Sequence, residues 1–381
     1  MIERIWTGHR TVVIAVGAIA ALALVATTLL VVVGPLHSSQ GATASPLASR
    51  TAVASPSALP SPSPTDTPNL SPTPVPADWV YADLDGMLAS PDTAHRLPLA
   101  IMIDDNVVAR PQSGISSASI VYQAPADGGE DRYMYVFQEG TANDIGPVRS
   151  ARPYFVYWAA EYKSLYGHWG GDAKSLQQVI PAMRSSIYNM DDLYGGSCAY
   201  HRDGSKPAPH NGYTSTAALI SCAAIMKYPS TYQGPPTRTF RDDAPLAQRP
   251  AAQVISIEYR TGTVGYQYDP TTDSYLRLIN GTPEIDPANG SKVYARTIVV
   301  MYQSVTIDPE SEPGHARPIV HNVGSDKATV FLEGQAITAT WKKTSNAALT
   351  RFYDSTGKEI PFVRGQLFMQ SVPPGTSVTV G

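Results

Sequence analysis

Ser119-Ile-Val-Tyr-Gln123, then Asp127-Gly-Gly129, then Tyr133-Met-Tyr-Val-Phe-Gln138: two runs of β-branched and aromatic residues flank a turn built on glycine. That pattern predicts a β-hairpin, because glycine takes positive φ angles at little cost while Val, Ile and Tyr suit a pleated surface. Upstream, Pro98 to Ile103 alternates weakly and reads as another strand. Downstream, Pro153 suits the first turn of a helix. Tyr154, Trp158, Tyr162 and Leu165 follow at helical spacing, an aromatic stripe that reads as core. The tail of that stretch, Leu165 to Trp169, also reads as a strand. Asp172 is then placed to cap a helix running through Ile180, and a further helix is expected from Ser215 to about Lys227. Strands alternate with helices, so residues 78–235 are expected to form a mixed α/β domain.

The stretch from Pro235 to Pro250 is proline-rich and polar, and the domain boundary is placed there. Beyond it, Val254 to Tyr259, Val264 to Tyr268, Tyr275 to Ile279, Thr297 to Gln303, Thr329 to Leu332, Ala336 to Trp341 and Arg351 to Tyr353 read as short strands. Residues 250–381 are therefore expected to be mainly β, and the fold class is α+β.

The N-terminal 77 residues have another character. Thr11 to Val33 contains no charged residue and is long enough to cross a bilayer. Arg4 and Arg10 precede it and no basic cluster follows, so residues 1–10 are expected in the cytoplasm, 11–34 as a transmembrane anchor, and the rest outside. A signal peptide cleaved near Ala42 to Ala44 is the alternative. Residues 35–77 are rich in Pro, Ser and Thr and predict a disordered, extended stalk on the order of 100 Å long.

The formal net charge of the 381-residue chain is −4, which argues against a nucleic-acid partner. The two cysteines, Cys198 and Cys222, are too few for a disulfide scaffold or a cysteine-based zinc site. They are either a disulfide, worth about 3 kcal/mol for such a loop, or two small buried side chains.

Arginines recur in glycine- and proline-flanked segments: Arg110-Pro-Gln-Ser-Gly114, Gly129-Glu-Asp-Arg132, and Gly146-Pro-Val-Arg149-Ser-Ala-Arg152-Pro153. His201-Arg202-Asp203-Gly204 and Pro209-His210-Asn211-Gly212 add a fourth polar stretch. The planar guanidinium fork matches carboxylate and phosphate oxygens, while each arginine could equally tie down its own loop. Gly170-Gly171-Asp172 offers backbone donors at a helix start. His168, Asp172 and His210 lack metal-motif spacing, and no metal or cofactor is expected. Asp104-Asp105 and Asp191-Asp192 read as turn or cap residues, since adjacent carboxylates point apart.

Together, the Arg110–Gly114 segment, Gly128-Gly129 with Arg132, the run from Gly146 to Tyr154, Gly170-Gly171, and Pro209-His210-Asn211 with Ser215 resemble the N-terminal domain of YerB-like bacterial envelope proteins. Thr340-Trp-Lys342, Arg351-Phe-Tyr-Asp354 and Gly357-Lys-Glu-Ile360 resemble that family's C-terminal domain. The resemblance implies a two-domain extracytoplasmic protein, lipid-anchored in the family but here carrying an apolar anchor run, and no particular activity. The expected site comprises Arg132, Arg149, Arg152, Gly170, Gly171, Asp172, Arg202, His210 and Asn211, holding an anionic wall or envelope ligand. A cell-envelope hydrolase or transferase with His210 as general acid or base is the rival, and a scaffold for an unknown protein partner the third reading.

Overall fold

The computed structural model describes residues 75–235, 237–311 and 314–381. The expected tail, the transmembrane run and nearly all of the stalk lie outside the described residues. Among those described, no helix is long and apolar enough to cross a membrane.

Strands dominate and helices are few. In chain order the first half supplies β1 (Leu99–Asp104), β2 (Ile120–Pro125), β3 (Asp131–Phe137), α1 (Pro153–Ala160), β4 (Leu165–His168), β5 (Tyr188–Asp191) and α2 (Thr216–Ile225). The second half supplies β6 (Val254–Tyr259), β7 (Gly262–Asp269), β8 (Ser274–Ile279), β9 (Thr297–Tyr302), β10 (Gly324–Leu332), β11 (Gln335–Lys343), β12 (Arg351–Tyr353), β13 (Leu367–Val372) and β14 (Val378–Val380).

Local chemistry sets the boundaries. β2 and β3 pair antiparallel across a turn in which Gly128 and Gly129 have φ of 68° and 82°. Pro153 opens α1, where a missing N–H costs nothing. Asp172 accepts from the Ser175 N–H at 3.0 Å and its hydroxyl at 2.7 Å, so the following turns start there. The Ser215 hydroxyl caps α2 by accepting from Ala218 N–H at 3.1 Å.

Ten strands form one mixed sheet in the order β12-β11-β10-β9-β13-β2-β3-β1-β4-β5, five from each half of the chain. The join is β13. It runs parallel to β9, with Leu367 opposite Thr297, and parallel to β2, with Leu367 opposite Ile120. The composition change near residues 235–250 is thus not a gap between sheets, and Pro72–Gly381 is one compact unit.

Both faces of the central sheet are covered. On one, Ala100, Met102 and Met134 meet Trp158 of α1. On the other, Leu99, Ile101 and Ile103 share a cluster with Leu219 of α2 and with Ile255 and Tyr266 of a second sheet. That second sheet pairs β8, β7, β6 and β14 in that order. Strands buried on both faces lose their polar alternation, and every residue of β13 is buried.

Buried polar contacts lock the halves together. Glu161, just beyond α1, accepts from Lys343 Nζ at 2.8 Å, Thr350 Oγ1 at 2.6 Å and Thr350 N–H at 3.2 Å, with Arg238 Nη2 at 3.9 Å. Asp286 accepts from the N–H groups of Gly114 and Ser116, each at 2.9 Å. Arg277, fully buried on β8, pairs with Glu284 and donates to Gln123 Oε1 at 3.2 Å and the Tyr133 hydroxyl at 3.0 Å.

Candidate functional site

The arginine-bearing segments gather at one end of the central sheet. β1, β4 and β5 run parallel, so their carboxyl ends point the same way. The loops that leave them begin at Asp105, Trp169 and Asp192, and β3 starts beside them, with Arg132 in register with Asp104. Crevices beyond the carboxyl ends of parallel strands are where ligands commonly sit.

The run from Gly146 to Tyr154 threads across this end. Arg149 N–H donates to Met102 O at 2.9 Å, Trp169 N–H to Arg149 O at 3.1 Å, and Ala151 N–H to Gly170 O at 2.9 Å. Gly170 has φ of 63°, and a Cβ there would meet Leu193 Cδ1 at 3.1 Å. Its N–H is taken by Asp191 Oδ1 at 2.8 Å. Tyr154 closes the run through its hydroxyl on Pro125 O at 2.6 Å.

The guanidinium groups meet different fates. Arg152 places its fork on Asp127, with Nε to Oδ1 at 2.9 Å, and sends Nη1 to its own neighbour's carbonyl at Ala151, 2.6 Å away. Burial opposes the Arg152 charge, yet the bonded Asp127 raises its proton affinity overall. Burial likewise opposes the Asp127 charge, and Arg152 nevertheless holds that carboxyl below the usual range. Arg202 stacks on Trp169 at 4.2 Å from the ring centroid and donates to Asn211 Oδ1 at 2.5 Å. Asn211 in turn donates to Asp203 O at 3.1 Å.

Arg132 is the exception. It is 6 % exposed and donates Nη1 to Ser150 O at 3.0 Å, but its Nε has no partner. Among the described residues it has no carboxylate within 4.0 Å. Burial, helped by the neighbouring charge of Arg152, pushes its proton affinity down to about 10.

Arg149 and His210 meet on a single oxygen, Oδ2 of Asp104, at 3.1 Å and 2.6 Å. The arginine contact is an ion pair off the hydrogen-bond line. Oδ1 of the same carboxylate accepts from Asn106 N–H at 3.2 Å, a turn contact of the kind expected for Asp104. Asp105 beside it takes the fork of Arg110 at 2.8 and 3.0 Å.

Ser150, Arg152, Asp127, Gly171 and Asp172 line an open cleft of about 410 Å³, completed by His315 and Arg317 from the other half of the chain. Gly128 N–H, bonded to Ala316 O at 3.1 Å, holds that segment in place. The nine expected site residues therefore share one end of the sheet but do not all face one cavity. His168 lies apart from His210: it is buried, with its nitrogens on Gly170 O at 2.7 Å and Asn189 Oδ1 at 2.8 Å. Among the described residues no group of three or more His, Cys, Asp or Glu side chains is arranged to hold a metal ion. Cys198 and Cys222 are disulfide-bonded, with Cα atoms 5.6 Å apart, tying the loop after β5 to α2.

Sequence reasoning read Asp104 and Asp127 only as turn residues and did not single out His315 or Arg317. Asp104 carried a usable signal, an acidic residue ending an apolar strand. His315 and Arg317 carried none, since a segment this distant in sequence joins the cleft only through the shared sheet.

Comparison with known proteins decides the family. Residues 84–228 match the model described as "Protein of unknown function (DUF3048) N-terminal domain", and residues 255–369 match the corresponding C-terminal domain. Over 298 residues the chain is 30% identical to YerB of Bacillus subtilis (strain 168), a protein described as a candidate lipoprotein, covering 77% of this chain and 86% of that one. The chain belongs to the YerB-like family. The crystal structure of YerB from Bacillus subtilis superposes with a TM-score of 0.69 at 26% identity, covering 79% of this chain and 99% of that one. The two matched regions of this YerB-like chain flank the stretch near 235–250 and share the ten-stranded sheet.

Proposed function

We propose that this protein is a membrane-anchored, extracytoplasmic binding module whose arginine end holds an anionic group of a wall polymer, peptide or lipid. The relative's description as a candidate lipoprotein supports an envelope location. Both cysteines of this chain lie in the folded unit as a disulfide, which supports the apolar run 11–34 rather than a lipidated cysteine as the anchor within these residues. The proline-rich stretch then spaces the folded unit from the bilayer.

One observation carries the ligand reading: Arg132 is a buried cation with no carboxylate within 4.0 Å among the described residues, although Asp127 and Asp104 act on it from further off, and it is held on the carbonyl of cleft-lining Ser150. Burying a charge without a close counterion is costly; Arg132 lies behind Ser150 rather than in the cleft lining, and an anion in the cleft would offset that cost across Ser150. Arg317 adds charge at the rim. Arg152 and Arg202, whose donors are engaged internally, serve the loops instead.

The full-length protein in detergent is expected to bind glycerol 3-phosphate saturably by calorimetry, with affinity falling at high salt. Arg132→Met and Arg317→Ala should each weaken it, Arg132→Met by roughly tenfold or more for the loss of a charge-assisted contact. Glycerol serves as the uncharged control. Absence of saturable binding, or equal binding by wild type and both variants, would remove the proposal.

A further inference from the structure

We infer that Asp104 and His210 form a proton-transfer dyad at the arginine end, and that with Arg149 they hydrolyse a phosphodiester by direct attack of water. The choice of an anionic ester rests on the anion-binding reading; the dyad itself rests on separate geometry.

Asp104 is buried at the end of β1, and its Oδ2 lies 2.6 Å from Nδ1 of His210. A carboxylate only accepts hydrogen bonds, so it places the imidazole proton on Nδ1. That leaves Nε2 as the basic nitrogen of the neutral ring. Among the described residues Nε2 has no hydrogen-bond partner, and the side chain is 16% exposed. A histidine oriented by a buried carboxylate through one nitrogen and open at the other is the arrangement that general-base catalysis needs.

Arg149 completes the constellation. Its Nε approaches the same Oδ2 at 3.1 Å, and neither Nη group bonds to any described residue. Because Arg149 and His210 are anchored on the same carboxylate oxygen, a donor for a phosphoryl oxygen and a base are carried on one anchor. The loop carrying His210 is pinned independently, by Asp203 N–H on Asn211 O at 2.9 Å and His210 N–H on Pro207 O at 2.9 Å. Lys206 is occupied with Ala109 O at 2.6 Å and Pro111 O at 3.0 Å, so it leaves the imidazole free.

In the reaction, the oxygen of water bonds to phosphorus while one of its protons passes to Nε2. The bond from phosphorus to the leaving alkoxide breaks on the opposite side; that oxygen takes a proton from solvent, and the imidazolium returns its proton to solvent. A phosphomonoester and an alcohol result, with no change in oxidation state. His210 is the catalytic residue, Arg149 steadies the charge on the phosphoryl oxygens, and Asp104 is a positioning residue.

The test uses the full-length protein in detergent with bis(p-nitrophenyl) phosphate, following p-nitrophenolate, and p-nitrophenyl acetate as the uncharged ester. Wild type should cleave the phosphodiester faster than buffer, and His210→Gln should lower the rate roughly 100-fold. Arg149→Lys should retain part of the activity that Arg149→Met loses. Asp104→Asn should lower kcat and displace the pH profile, a change that mere loss of packing would not produce; near-ultraviolet dichroism verifies each fold. Nitrogen-15 spectra should place the neutral-ring proton of His210 on Nδ1, whatever the substrate. A wild-type rate equal to buffer, an unchanged rate in His210→Gln, or the proton on Nε2 overturns the inference. Glycerol 3-phosphate binding measured on the same samples separates the readings. Binding without turnover sinks the dyad alone, and turnover without Arg132-dependent binding sinks the binding module alone.

Discussion

Two of the buried charge clusters among the described residues are finished differently. At the seam between α1 and β11, Glu161 is met by Lys343, Thr350 and Arg238, and Lys343 Nζ also reaches Ala348 O at 2.6 Å. Every strong donor there has an acceptor inside the fold except Nε of Arg238. At the arginine end, among the described residues, Arg132 has no carboxylate within 4.0 Å, the Nη groups of Arg149 bond to nothing, and Nε2 of His210 is open. Closed charge clusters hold structure together, whereas unfinished ones mark places where something else completes the set.

The sharpest way to break this contrast is Lys343→Met. It leaves Glu161 buried without its nearest cation and is expected to cost about 3–5 kcal/mol in denaturant unfolding. Affinity at the arginine end, measured on the folded fraction, should not change.

Asp131 gives a second lever, one residue from Arg132 but on the opposite face of β3. Burial first, and repulsion from Asp105 second, push its carboxyl up to about 7. Its folded value lies above the unfolded one, so the folded state binds the proton more tightly between about pH 4 and 7. The stability this group contributes is present below pH 4, falls as pH rises through that window, and stays low above it. Asp131→Asn should therefore match wild type near pH 4 and exceed it by roughly 2–4 kcal/mol at pH 8 in chemical denaturation.

The smallest effect sharpens the contrast most. Arg132→Met removes an unpaired buried cation and fills the space with apolar atoms, so stability should hold or rise by about 1 kcal/mol. A gain in stability from the change that weakens binding would separate the two clusters cleanly; a loss of 3 kcal/mol or more would place Arg132 with Glu161 as a structural charge.

Much of the fold could be read directly from residues. The hairpin of β2 and β3, the helix opening at Pro153, the Asp172 cap and α2 follow from local chemistry, and most strands of the second half from β-branched runs. β13 was missed. Leu367-Phe-Met-Gln-Ser-Val372 shows no polar alternation, because neither face meets water. Missing it hid the continuity of the sheet. At the candidate site, residue types pointed to segments that share one end of the sheet, but hydrogen-bond partners decide which guanidinium groups are free, and those partners come from strand register. Asp104 is the example: read as a turn residue, it is one through Oδ1 and the hub of Arg149 and His210 through Oδ2.

The placement of β13 constrains the order of assembly. A chain that emerges from the ribosome amino end first makes β2 some 240 residues before the strand that will lie beside it. Until Leu367 to Val372 arrives, four strands on one side and five on the other wait with an open edge. Truncation by as few as fifteen residues at the carboxyl end would therefore remove a central strand rather than a tail. Such an architecture withholds the finished ten-stranded sheet until the segment ending at Val372 has been made.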